Sequence, residues 1–184
     1  MQLFESKISG CYELLPIQRS DSRGVFIKTF NYSLFREHGL HFDLKEQFFS
    51  YSSRGVIRGM HFQVPDMHND KIVFCPQGEI FDVIVDMRVD SPTYGEHASF
   101  ILSPKKNNCI YIPEGVAHGF QSLQDNSIVI YNVSSEYSAD HDDGIMYDSI
   151  GIDWPIKDSI TISERDKTFK TFNDFNSPFK IIKD

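Results

Sequence analysis

From residue 78 to 137 the chain is a succession of short runs that alternate with a period of two and stop at turn residues, with no helical pattern between them. In "GEIFDVIVDMR", Phe81, Val83, Val85 and Met87 alternate with Ile80, Asp82, Ile84, Asp86 and Arg88, the pattern of a strand with unlike faces. "DSPTYGE" turns the chain into "HASFILS". "PKKNN" turns it into "CIYIPEGVAHGFQSL", which Pro113 and Gly115 interrupt, and "QDNS" leads into "IVIYNVSSEY". Such a series predicts an all-β chain, an antiparallel sandwich or barrel with a few short peripheral helices. Two segments are candidates for those helices. One is "NYSLFREHG", ending at Gly39; the other is "SERDKTFKTF", where Ser163 precedes Asp166 by three residues in a weak capping-box pattern.

A chain of 184 residues is long enough for a substantial core, and residues 1–184 are expected to form one domain. Sixteen phenylalanines and eight tyrosines against one tryptophan favour pleated surfaces. The formal charge of −8 argues against a surface that attracts nucleic acid or anionic lipid as a whole, yet leaves room for a local anion pocket. Cys11, Cys75 and Cys109 are widely spaced and form no CxxC pair, so they read as reduced thiols rather than a disulfide framework or a zinc site. "MQLFESKISGCYELLP" has no signal-peptide pattern, and no window approaches the roughly 20 apolar residues of a membrane span. The expected setting is the cytoplasm, without a membrane or nucleic-acid partner.

One stretch does not suit ordinary strand material. "YSSRGVIRGMHFQVPDMHNDK", residues 51–71, crowds Arg58, His61, His68 and Lys71 among glycines and a proline. Metal-binding jelly-roll barrels of the cupin type carry G(x)5HxH(x)3–4E followed later by PxGx2H. The second motif is present as "PEGVAH", Pro113 to His118, but the first fails after Gly55 and His61, because Gln63 replaces its second histidine and Met67 and His68 replace its glutamate. Two strong ligands are too few for a divalent transition metal, and no metal or other cofactor is expected. A barrel lined with His, Arg and Lys is costly to desolvate unless those groups meet a ligand. Arg58 and His61 are three apart and face opposite sides of a regular strand, unless Gly59 allows a bulge.

"RGVIRGMHFQ", "GEIFDVIVDMR", "SPTYG", "IPEGVAHGF", "IVIYNVSSEY" and "GIDWP", in this order and over most of the chain, resemble the dTDP-4-dehydrorhamnose 3,5-epimerase family. The resemblance implies a metal-free antiparallel jelly-roll barrel of the cupin type, a homodimer with a strand exchanged between subunits, and a nucleotide-sugar substrate. It also implies an isomerase that inverts C3 and C5 next to the C4 ketone of a nucleotide-linked 4-keto-6-deoxy sugar. By the same resemblance His61 is the base, Asp166 in "SERD" its paired carboxylate, Lys71 the cation at the enolate oxygen, and Tyr131 in "IVIYN" the proton donor on the opposite ring face. Without it, Asp166 reads as a first-turn helix acid and Tyr131 as an ordinary strand aromatic. Arg23 and Arg58 are the implied pyrophosphate contacts and His118 a sugar contact. Tyr137 and Phe26 are candidates to stack on the base, with plain core as the other reading of each.

The rim departs from the family pattern. Lys28 stands where a glutamate is common, and Glu46 and Phe48 stand where glutamine and asparagine are usual. These changes leave the acid–base set intact and bear on nucleotide recognition. The other readings are inversion at C3 or C5 alone, a CDP- or GDP-linked substrate, a sugar 3,4-ketoisomerase, and a nucleotide-sugar-binding protein without turnover.

Overall fold

A computed structural model describes residues 1–181. Thirteen strands account for its regular structure: β1 Gln2–Glu5, β2 Tyr12–Leu15, β3 Ile17–Asp21, β4 Gly24–Lys28, β5 Glu46–Ser52, β6 Ile57–Gln63, β7 Lys71–Gln77, β8 Ile80–Asp86, β9 His97–Leu102, β10 Cys109–Ile112, β11 Val116–Ser122, β12 Ser127–Val133 and β13 Asp142–Gly144. They build two antiparallel sheets. One has the order β1-β2-β10-β7-β12-β5, the other β13-β6-β11-β8-β9, and β3 and β4 form a separate hairpin. The interleaved order of early and late strands within each sheet is that of a jelly roll.

The core lies between the sheets, where Ile80, Ile84, Ile110, Phe120 and Val129 are fully buried. The unlike faces read in β8 are both covered. Phe81, Val83, Val85 and Met87 belong to a second cluster on the outer face, closed by Ile145, Ile152, Trp154 and Phe179 from the C-terminal segment. This explains "GIDWP": Trp154 donates from Nε1 to the Tyr147 carbonyl at 3.0 Å and meets Phe81 edge-on at 5.8 Å. Burial of so large a ring contributes roughly 2–3 kcal/mol. The polar face of β8 likewise turns inward. Arg88 grips Asp86 with Nε and a terminal nitrogen at 2.8 and 2.9 Å, and Ser91 and Thr93 donate to the same carboxylate, which pins the "DSPTYG" turn. Burial opposes the charge on Asp86, but these donors outweigh it and hold its pKa below the usual carboxylate range.

Of the two expected helices, "NYSLFREHG" forms α1, Tyr32–Glu37, capped by Asn31 Oδ1 on the Leu34 amide and packed through Phe35 onto the outer face of the six-stranded sheet. Gly39 follows it at φ 76°, a conformation that favours glycine. "SERDKTFKTF" forms only one 3₁₀ turn, Asp166–Thr168, and a second, Phe172–Asp174, begins at its last residue. Ser163 accepts from the Asp166 amide as a cap would, yet Asp166 is drawn away to β6, and the chain returns to extended geometry at Phe169. No helix of the described residues is long and apolar enough to cross a membrane.

Candidate active site

A cavity of about 340 Å³ opens between the sheets, within the range of small-molecule pockets. Its depth depends on how β6 meets β11. His61 pairs with His118 and Arg58 with Phe120, so Gly59 and Met60 on β6 oppose Gly119 alone. The extra residue is a bulge, and it brings Arg58 and His61 to line the same cavity although they are three apart. Only glycine fits the crossing: a Cβ on Gly59, at φ 137°, would lie 2.5 Å from the Gly119 Cα.

His61 Nε2 lies 3.0 Å from Asp166 Oδ1, close but without the alignment of a full hydrogen bond. Asp166 Oδ2 accepts from the Gly59 amide at 3.3 Å. Burial works against the Asp166 charge, but His61, Gly59 and Ser163 prevail and keep its pKa below the usual carboxylate value. Asp166 sits behind the imidazole, while the half-buried ring faces the cavity.

Lys71 begins β7 in the opposite sheet and reaches across to donate from Nζ to the His61 carbonyl at 3.1 Å. Burial lowers its pKa to about 8, against the pull of Asp142 and Asp82. Tyr131 on β12 lines the same cavity, and burial, followed by Asp82, pushes its phenol above 10 despite Ser50 and Arg58. Phe48, its cross-strand partner on β5, stacks on it at 4.8 Å and 17°. The cavity therefore has an imidazole on one sheet and a protonated phenol with an ammonium on the other.

His118 lines the cavity beside Tyr131, ring centroids 5.8 Å apart, and its Nε2 lies 2.7 Å from Asp82 Oδ2. Asp82 is fully buried with Oδ1 unpartnered, and burial raises its pKa although His118 and Lys71 oppose the rise. Sequence reasoning missed it, since an acid alternating with Phe81 and Val83 reads as solvated. The available signal was its phase: Asp82 shares a face with Ile80 and Ile84, which a core requires. Arg165 and Asp142 were missed as well; they pair at 2.8 Å on the cavity wall. Arg58 is positioned by donating to Ser52 Oγ and the Tyr51 carbonyl, both at 3.1 Å. Tyr137 lies at the rim, its amide held by Glu46 at 2.7 Å. His68, the other histidine of the opening stretch, meets Glu114 at 2.6 Å in the rim loops.

Three expected binding residues are not in this cavity. Arg23, Phe26 and Lys28 stand on the β3–β4 hairpin, which pairs with neither sheet; Phe26 is 60% exposed, and Arg23 is occupied with its own neighbour Asp21 at 2.7 Å. They share the hairpin with one another and lie apart from the His61 cavity of their own chain. Among the described residues no group of three or more His, Cys, Asp or Glu side chains converges on a metal position. His61 and His118 face carboxylates, and the Gln63 amide is engaged with protein partners.

A family model described as dTDP-4-dehydrorhamnose 3,5-epimerase matches residues 5–174. The dTDP-4-dehydrorhamnose 3,5-epimerase of Methanothermobacter thermautotrophicus is 41% identical over 173 residues, covering 92% of this chain and 93% of the relative. The structure of the dTDP-6-deoxy-D-glucose-3,5-epimerase of Legionella pneumophila in complex with dTDP-4-keto-L-rhamnose superposes with a TM-score of 0.94 at 29% identity, covering 99% of each chain. A 3'-monoepimerase of Streptomyces bikiniensis, in complex with dTDP-quinovose, reaches 0.87 at 29% identity over 91% of this chain and 86% of that one.

Proposed function

The chain belongs to the dTDP-4-dehydrorhamnose 3,5-epimerase family, an isomerase acting on a dTDP-linked 4-keto-6-deoxy sugar, and from that premise we propose how its residues share the work. His61 removes the proton α to the C4 ketone through the ring nitrogen that does not face Asp166. Asp166 fixes the tautomer and stabilises the imidazolium that forms. Lys71, charged below about pH 8, donates to the developing enolate oxygen. Tyr131 returns a proton to the opposite ring face; its raised pKa keeps that proton in place until the carbanion is there to take it. Once His61 has released its proton to solvent and Tyr131 has regained one from it, repetition at the second carbon gives inversion at both C3 and C5, and no metal is needed because the lysine serves the oxygen. His118, held by Asp82, contacts the sugar; Arg58 takes the pyrophosphate; Phe48 and Tyr137 lie against the rest of the nucleotide.

The observation that carries this reading is the His61–Asp166 pair facing Tyr131 across one cavity, since mere binding does not require a carboxylate-backed base opposite a hydroxyl. The hairpin completes the site in a homodimer: Arg23, Phe26 and Lys28 are outside their own cavity and exposed, free to enter that of a second copy. Three buried, unpaired thiols support a reducing compartment, the cytoplasm.

Incubation with dTDP-4-keto-6-deoxyglucose in D₂O tests the assignment. Deuterium is expected at C3 and C5 with the unaltered enzyme and at neither carbon with His61→Ala. Full turnover by His61→Ala would defeat the mechanism, and label at one carbon alone would reduce the activity to single inversion.

A further inference from the structure

Gln63 ends β6 two residues beyond His61, is buried, and lines the cavity without a role in the chemistry above. Its amide is fully used. Nε2 donates toward the Met67 carbonyl at 2.8 Å, Ser135 Oγ at 3.0 Å and the Glu136 carbonyl at 3.1 Å, while Oε1 accepts from the Ser138 amide at 2.7 Å. Ser135 Oγ in turn donates to the same Met67 carbonyl at 2.8 Å. These partners belong to two loops. Residues 64–70 run into Lys71, and residues 134–141 leave the strand of Tyr131 and carry Tyr137 to the rim, where Glu46 holds its amide.

We propose that Gln63 is the positioning residue of the nucleotide rim, a single amide that locks both loops to the strand of the base and so sets where Tyr137 meets the substrate. The inference rests on the epimerase reading. Only a side chain that donates and accepts at this length satisfies two carbonyls and an amide N–H together. Glutamate keeps the size and the acceptor for Ser138 but opposes two carbonyl oxygens with a charge; leucine leaves the Glu136 carbonyl and the Ser138 amide without this partner, while Ser135 Oγ and the Met67 carbonyl keep only each other. The catalytic set is spared, because Lys71 is held by the His61 backbone and His61 by Asp166. Substrate binding is therefore expected to suffer before turnover.

The experiment compares Gln63→Glu and Gln63→Leu with the unaltered enzyme by calorimetric titration with dTDP and by steady-state kinetics between pH 6 and 8. At pH 8 the dTDP Kd and the KM are expected to rise roughly tenfold or more, with kcat changed less than about threefold. For Gln63→Glu the deficit relative to the unaltered enzyme is expected to shrink toward pH 6, as the buried carboxyl takes up a proton and regains a donor; for Gln63→Leu it stays constant. Unchanged Kd and KM in both variants, or kcat and KM lost together at every pH, would overturn the proposal. Should both variants misfold, Ser135→Ala removes one of the links without touching Gln63 and must itself raise the dTDP Kd about threefold; an unchanged Kd again overturns it. Hydrogen exchange by the unaltered enzyme is the control. Its absence defeats the epimerase mechanism, whereas exchange with unaffected variants defeats only the role of Gln63.

Discussion

Lys71 makes the pH dependence specific. With its pKa lowered by burial to about 8, the ammonium that the proposed mechanism places at the enolate oxygen is lost above that pH, whereas Tyr131, raised by its own burial, stays protonated through the same range. The exchange rate is therefore expected to fall about tenfold per pH unit above pH 8, measured by deuterium incorporation in buffered D₂O. Stability moves the other way. Between about 8 and the ordinary lysine value of 10.5 the unfolded chain holds the proton that the folded chain has lost, so stability rises with pH there. The full gain is on the order of 3 kcal/mol, and Lys71→Met is expected to lower exchange at every pH, because the donor to the enolate oxygen is gone, and to remove the alkaline gain in denaturant stability. Asp166 obeys the opposite sign: with its pKa held below the ordinary value of 3.8, its contribution is present at neutral pH and is lost as pH falls through the folded pKa. Asp166→Asn is expected to slow exchange at both carbons roughly 10²-fold or more, because the base loses its orienting charge. An exchange rate within a factor of about two of the unaltered enzyme would reduce Asp166 to a packing residue.

The meeting of β6 and β11 fixes the distance between the two histidines, and it depends on small residues. A Cβ on Gly119 would lie 2.7 Å from Met60 Sδ and 2.8 Å from the Arg58 carbonyl, so Gly119→Ala must push β6 away. A loss of about 2–4 kcal/mol is expected, a fall in Tm of roughly 5–15 °C read by calorimetry, with hydrogen exchange reduced even below the new Tm because His61 moves with its strand. Gly119→Ala with unchanged Tm would contradict the crossing. This element also shows where sequence reasoning reaches its limit. The alternation in "GEIFDVIVDMR" announces a strand whatever covers it, and Gly59 between Arg58 and His61 announces a possible bulge; both are local signals. That the outer face of β8 is covered, and that Asp82 and Asp86 are consequently interior acids, is decided by Trp154 and Phe179, which arrive some seventy residues or more later in the chain. Periodicity has no access to that. The segment from Ser163 stops at a 3₁₀ turn instead of a longer helix for the same reason: the Asp166 side chain answers to His61 and Gly59 on β6, and a contact over such a separation outweighs a weak capping pattern.

Arg23, Phe26 and Lys28 stand on a hairpin that pairs with neither sheet and lie outside the cavity of their own chain. If a second copy receives the hairpin, each site is shared, and the sharing has a consequence no single-chain arrangement has. His61→Ala alone destroys the base of its own cavity; Arg23→Ala alone removes a phosphate contact from the neighbour's. A mixed dimer of the two variants contains one cavity with both defects and one with neither. Co-refolded in equal amounts, half of the dimers are mixed, so about a quarter of all cavities are intact and about a quarter of the unaltered activity returns, although each variant alone is impaired. Were Arg23 to act on its own chain's cavity, every cavity in the mixture would carry one defect, and co-refolding would give only the average of the separate activities. The charge of the hairpin sharpens the comparison. Lys28→Glu reverses a charge on the hairpin, and placed in the His61→Ala chain it alters the same intact cavity as the Arg23 that chain supplies. A changed KM for dTDP-sugar in that mixture, with kcat per intact site preserved, is expected only when both residues cross to the neighbouring subunit together.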